Sequence, residues 1–130
     1  MAESTVDRNE RMVHTMCAAA DAGDGETFAS FFSESAVFRF GNNEPLTGRA
    51  AIARSTEGTV SAIHPARHHV EQIAHLGSQL FCRFVIEVTK PDGTGLRLPC
   101  VTVIEMSGPR IVAYQVHMDI SPALVTAPAG

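Results

Sequence analysis

Gln79–Lys90 (QLFCRFVIEVTK), Leu96–Met106 (LRLPCVTVIEM) and Arg110–Ile120 (RIVAYQVHMDI) follow one another closely. Only Pro91-Asp92-Gly93-Thr94-Gly95 and Ser107-Gly108-Pro109 separate them. Side chains alternate across a strand, and each run places apolar residues at alternate positions. Gaps this short join antiparallel neighbours, because a parallel crossover needs a dozen or more residues. The last third of the chain therefore reads as a meander of long strands with an apolar inner face. Helical segments rich in Ala, Met and Phe precede it. Helices followed by a curved meander predict an α+β half-open barrel around an apolar pocket.

Upstream, Ser4 to Asp7 resembles a capping box with Asp in place of Glu. Val13, Met16, Cys17 and Ala20 then fall at helical spacing, and Gly23 is placed to end the helix. A second helix is predicted from near Asp24, presenting Phe28, Phe31 and Phe32 at i, i+3 and i+4. Ala36, Phe38 and Phe40 alternate with Val37 and Arg39 as a short strand, and Gly41 to Pro45 form a turn. After Gly48 a third helix carries Ile52, Thr56, Val60 and Ile63 on one stripe, and Pro65 bars its continuation. A strand from about His68 to His75 leads through Gly77-Ser78 into the meander. Residues 1–122 read as one domain and 123–130 as a flexible tail.

Composition narrows the function. At 130 residues with 45% hydrophobic content, the chain is long enough for one buried core. The net charge is −4 and no basic cluster interrupts it, which argues against nucleic acid and anionic membrane as partners. The first residues lack a basic and an apolar signal region, and no apolar run approaches the roughly 18 residues a spanning helix needs. Cys17, Cys82 and Cys100 are an odd set, widely spaced inside apolar segments. Buried reduced thiols fit them better than disulfides, and the expected location is cytoplasmic.

The order helix, helix, strand, helix and four antiparallel strands resembles the nuclear-transport-factor-2-like superfamily. That group includes ketosteroid isomerases, limonene-epoxide hydrolases and SnoaL-like polyketide cyclases. Ala18 to Asp24, Phe31 to Val37, Glu44 to Ile52 and Arg110 to Ile120 carry the likeness. It implies a cone of three N-terminal helices on a curved, mostly antiparallel sheet, and a homodimer through the outer sheet face. The implied catalytic positions are mostly apolar here. Met16 stands at the isomerases' first-helix tyrosine, Phe40 at their base aspartate and Thr102 at their second acid. Val116 stands at the last-strand acid of the hydrolases and cyclases. Phe84 and Ile86 stand at the hydrolases' Arg and Asp.

Other residues can still carry chemistry. Adjacent strand residues point to opposite faces, so one of His68 and His69 faces the pocket, and likewise one of Glu71 and Gln72. With a regular strand and a two-residue turn at Gly77-Ser78, His69 pairs with Ile86 and Glu71 with Phe84, both inward. A pocket histidine beside a carboxylate is a plausible general base, although both groups can instead sit solvated at the pocket mouth. Tyr114, the only tyrosine, is either a donor to a substrate carbonyl or a core aromatic bonded to backbone. Asp119 is a further acid candidate, with a structural role at the strand end as the alternative. Met16, Phe32, Phe40, Cys82, Phe84, Ile86, Thr102, Val116 and Met118 are the expected pocket wall, with Cys100 a further weak polar group. His64, His68, His69 and His75 do not match a zinc spacing, so no metal is expected, and separately no cofactor is expected.

The expected function is a cofactor-independent enzyme of isomerase, cyclase or hydratase/epoxide-hydrolase type, acting on an apolar, ring-containing metabolite. The alternative is a non-catalytic ligand-binding or dimeric interaction module that has lost the family's carboxylates.

Overall fold

Helix α1 (Thr5–Ala22) begins where the Ser4 side chain accepts the Asp7 N–H at 3.1 Å. It ends at Gly23, whose φ of 71° is a left-handed conformation that glycine adopts without a Cβ clash. These and the following coordinates come from a computed structural model that describes residues 3–63 and 66–124. The side chains of 58–63 and 124 are excepted. The side chains of Val60 and Ile63 of the expected helical stripe, and the whole of His64 and Pro65, therefore lie outside what is described, as does most of the tail.

The second helix is shorter than its Phe spacing predicts. α2 (Gly25–Ala29) is capped by Asp24, which accepts the Thr27 N–H at 3.1 Å. The chain then leaves the helix, and Phe32 opens strand β1 (Phe32–Phe40). Sheet pairing wins there: Phe31 accepts from the Ile111 N–H at 3.0 Å, and Phe32 pairs with Ile111. A short β2 (Leu46–Thr47) precedes α3 (Arg49–Ile63). α2 and α3 touch closely, because a Cβ on Gly25 would lie 2.2 Å from the Ala53 carbonyl oxygen.

The rest is sheet: β3 (Ala66–Leu76), β4 (Gln79–Thr89), β5 (Gly95–Ser107) and β6 (Arg110–His117). The strand order is β2-β1-β6-β5-β4-β3, antiparallel except for the parallel β1–β6 pair. Leu80, Cys82, Phe84, Ile86 and Val88 alternate inward along β4 and are buried, as are Leu98, Cys100, Thr102, Ile104 and Met106 along β5. The helices cover this face, so the core lies between the two layers. The fold is α+β, as the meander predicts. A last helical turn, α4 (Ser121–Leu124), follows β6.

One register differs from expectation. The turn at Gly77-Ser78 pairs Leu76 with Gln79, and pairing continues regularly to Gln72 with Arg83. The next pair is Val70 with Phe84, so Glu71 is an extra residue in a β-bulge. From there His68 pairs with Ile86 and His69 with Val85. Every side chain before the bulge thus lies on the face opposite to that of a regular strand. Among the described residues, no helix is long and apolar enough to cross a membrane.

Candidate functional site

A cavity of about 270 Å³ opens between the helices and the concave face of the sheet. Phe28, Phe38, Phe40, Ile86, Val116, Met118 and Ile120 supply most of its apolar wall. Polar groups enter from α3 (Ser55, Thr56), from Asn43, and from the strands as His68, Cys100, Thr102 and Tyr114. The volume and the sparse polar lining suit a small organic ligand.

His68 is the best-organised polar group in this wall. Its Nδ1 lies 2.6 Å from Asp21 Oδ1, and both partners are about three-quarters buried. The His68 backbone N–H also donates to the Asp21 carboxylate, at 3.0 and 3.1 Å. That N–H lies on an edge strand, where it would otherwise lack a sheet partner. An ionised carboxylate only accepts, so Nδ1 carries the ring proton and Nε2 is left as the nitrogen for a ligand. The ring packs edge-on against Phe84, with centroids 5.8 Å apart. Asp21 sits in the last turn of α1, the end where the helix dipole disfavours negative charge by typically about 0.3–1 kcal/mol. Its hydrogen bonds to His68 offset that cost.

Tyr114 lies on the same cavity, three strands away. Its ring stacks on Phe38 with centroids 5.3 Å apart and meets Phe28 and Phe32 at 5.7 and 5.6 Å. Burial pushes its phenol well above the ordinary tyrosine range, with the Cys17, Cys82 and Cys100 thiols adding to the effect. Hydrogen bonding with Thr102 opposes it. The phenol therefore stays protonated and able to donate. Burial likewise pushes the Cys17 and Cys82 thiols up to about 12, leaving them poor nucleophiles near neutral pH.

His69 and Glu71, placed inward by the regular-strand reading, are not in the cavity wall. His69 Nε2 lies 3.0 Å from Glu87, which Arg97 also holds at 3.1 Å. Glu71 approaches Arg83 at 3.9 Å, both largely exposed. The bulge at Glu71 is the physical cause. Asp119 is exposed, and hydrogen bonding from the Ser121 hydroxyl, with the Ser121 N–H donating at 3.0 Å, holds its pKa below the usual range. β6 ends at His117, and Asp119 shapes the turn into α4.

Of the expected wall, Phe40, Ile86, Thr102, Val116 and Met118 line the cavity. Met16, Phe32, Cys82 and Phe84 are instead core residues at 0–2% exposure, buried where α1 and α2 close over the sheet. Sequence reasoning left His68 undecided and missed Asp21 altogether. One available signal was an aspartate in the last turn of a helix. The other was the Val70–Ile73 spacing, three residues where a regular strand would bury positions two apart. Among the described residues, no three His, Cys, Asp or Glu side chains group so as to hold a metal ion.

Residues 13–114 match the family model described as a SnoaL-like domain. No curated protein matches the chain. Solved structures do. A candidate SnoaL-like polyketide cyclase from Jannaschia sp. CCS1 superposes with a TM-score of 0.80 at 11% identity, covering 95% of this chain and 94% of that one. A hypothetical protein of ketosteroid isomerase-like fold from Catenulispora acidiphila DSM 44928, in complex with trimethylamine, gives 0.79 at 18% identity, over 87% and 88%. TerC, co-crystallised with polyporic acid, gives 0.76 at 16% identity, over 88% and 94%. At such identities the likeness establishes the nuclear-transport-factor-2-like fold and leaves activity to the site itself.

Proposed function

The chain belongs to the SnoaL-like domain family, and from that premise we propose that it is a cofactor-independent acid–base enzyme acting on an apolar, ring-containing metabolite. The observation that carries this reading is the 2.6 Å Asp21–His68 pair at the wall of an otherwise apolar cavity. His68 Nε2 takes a proton from the carbon next to a ring carbonyl, and the electron pair moves onto the carbonyl oxygen. Tyr114, with Thr102 beside it, donates to that oxygen as its negative charge develops. Asp21 stabilises the imidazolium and fixes the ring's orientation. His68 then returns the proton, at another carbon for isomerisation or to a leaving oxygen for dehydration. A cyclisation would use the same enolate as carbon nucleophile. Phe84 and Ile86, buried at the positions where the hydrolases of this superfamily keep Arg and Asp, favour proton transfer over epoxide opening.

The test needs no knowledge of the natural product. The protein is incubated with cyclic ketones such as 2-tetralone in D2O, and exchange at the α-carbon is followed by NMR. Exchange above the buffer rate, lost in His68→Gln, supports the proposal. A ketone that binds without accelerated exchange supports the competing reading, a binding module. That reading draws on Phe40, Thr102 and Val116, which stand where relatives keep acids. The outer sheet face, with Val101 40% exposed between Arg83 and His117, is further proposed as a homodimer surface. Sedimentation of wild type against Val101→Asp checks it: a dimer that dissociates in the variant is expected.

A further inference from the structure

The cavity wall carries no permanent charge among its described residues, since Lys, Arg, Asp and Glu are absent from the lining. The titratable groups that face it are His68, Cys100 and Tyr114. The Asp21 carboxylate stands behind His68, outside the wall, with both oxygens engaged by that residue. With the ring neutral the pair carries the carboxylate's negative charge behind the wall, and with the ring protonated it carries none. With Asp21 neutralised, the same protonated ring would be an uncompensated cation on an apolar cavity, and it would attract an anionic ligand. Conversely, with the ring removed, the carboxylate would open onto the cavity and attract a cation.

We propose that Asp21 sets the charge selectivity of the cavity. By compensating His68 from outside the wall, it makes the site take uncharged ring compounds and turn away carboxylates of the same size. The ligand class is thus a neutral ring compound with an oxygen acceptor, an assignment that rests on the cavity being the ligand site proposed above. Asp21 in this role is a specificity-determining residue that acts through its neighbour and touches no ligand itself.

Three probes of one ring size test it by titration calorimetry at mildly acidic pH: 2-tetralone, 2-naphthoate and 2-naphthylmethylammonium. Wild-type protein is expected to bind 2-tetralone at least about tenfold tighter than 2-naphthoate, a difference of about 1.4 kcal/mol. Asp21→Asn is expected to strengthen 2-naphthoate at least about tenfold relative to 2-tetralone. His68→Ala is expected to do the same for 2-naphthylmethylammonium. Equal binding of naphthoate and tetralone by the wild type would overturn the inference, as would ratios that do not move in the variants. Should Asp21→Asn fail to fold, the His68→Ala arm decides. Failure of 2-tetralone to bind the wild type at all would overturn both this inference and the ligand site it rests on. Selective binding without α-carbon exchange removes the catalytic reading and leaves charge selection standing. Exchange with unmoved ratios does the reverse.

Discussion

Strands β4 and β5 pair without a break from Gln79–Glu105 to Thr89–Gly95, whereas β3 slips by one residue at Glu71 against the same β4. The difference follows from position in the sheet. β4 has partners on both sides, and its inner residues sink into the core. β3 is an edge strand with one partner and many polar side chains, so an extra residue costs few hydrogen bonds. The regular ladder supplies rigidity. The irregular edge aims one histidine into the cavity and leaves its neighbour on the outer face. In this reading the chemistry sits at the loosely specified edge and the stability in the closely paired centre, as scaffolds that carry function often divide them.

The comparison is broken most severely by one alanine inserted after Val70. The new residue would take the place opposite Phe84, moving His69 inward and His68 outward. Arg67 would also face the core side near Val88. A stability loss of about 3 kcal/mol or more is expected, read by urea titration, because Arg67 would replace Ala66 opposite Val88, while His69 would stand opposite Ile86 where His68 stood. The closely paired side is sharpened by Cys82, whose thiol is pushed up to about 12 by burial. At pH 8 about one thiol in ten thousand is ionised, so alkylation in the native protein is expected to be about a thousandfold slower than in urea. The sign for stability follows. The folded state holds this proton where the unfolded state has released it, so stability falls as pH rises from the ordinary thiol range toward 12.

The remaining effects follow in order of size. Phe84→Ala in the regular ladder is expected to cost about 3–5 kcal/mol by urea unfolding, because it empties a fully buried ring site. His68→Gln is expected to lower exchange about 100-fold or more with little change in stability. His69→Gln is expected to alter neither, with stability held within about 0.5 kcal/mol, because its bond to Glu87 is exposed. Deletion of Glu71 is the mildest change at the bulge. It leaves Val70 opposite Phe84 and His68 facing inward, so the fold and the Asp21 pair are expected to persist in the NMR spectrum.

Much of this molecule was legible from its sequence, for a specific reason. The inner face of β4 and β5 follows a period of two without exception from Leu80 to Val88 and from Leu98 to Met106. The Tyr114, Val116 and Met118 side of β6 and its approach to α4 followed the same rule, and all three residues line the cavity. The rule failed twice. Phe28, Phe31 and Phe32 have helical spacing, yet Phe32 belongs to a strand because pairing with β6 outweighs one more helical turn. In β3 a period of two was assumed through Glu71, although the three-residue spacing of Val70 and Ile73 breaks that period.

Local chemistry in the chain determined the elements, their order, the antiparallel meander and the apolar character of the enclosed face. These depend on neighbours in sequence: caps, turns and alternation. The tertiary structure alone decided that Asp21 and His68, 47 positions apart, meet at 2.6 Å. That contact needs the end of α1 laid against the edge of β3 and one bulge to turn the right face inward. The contact itself is encoded within no single segment, because it arises from where two segments stop relative to one another.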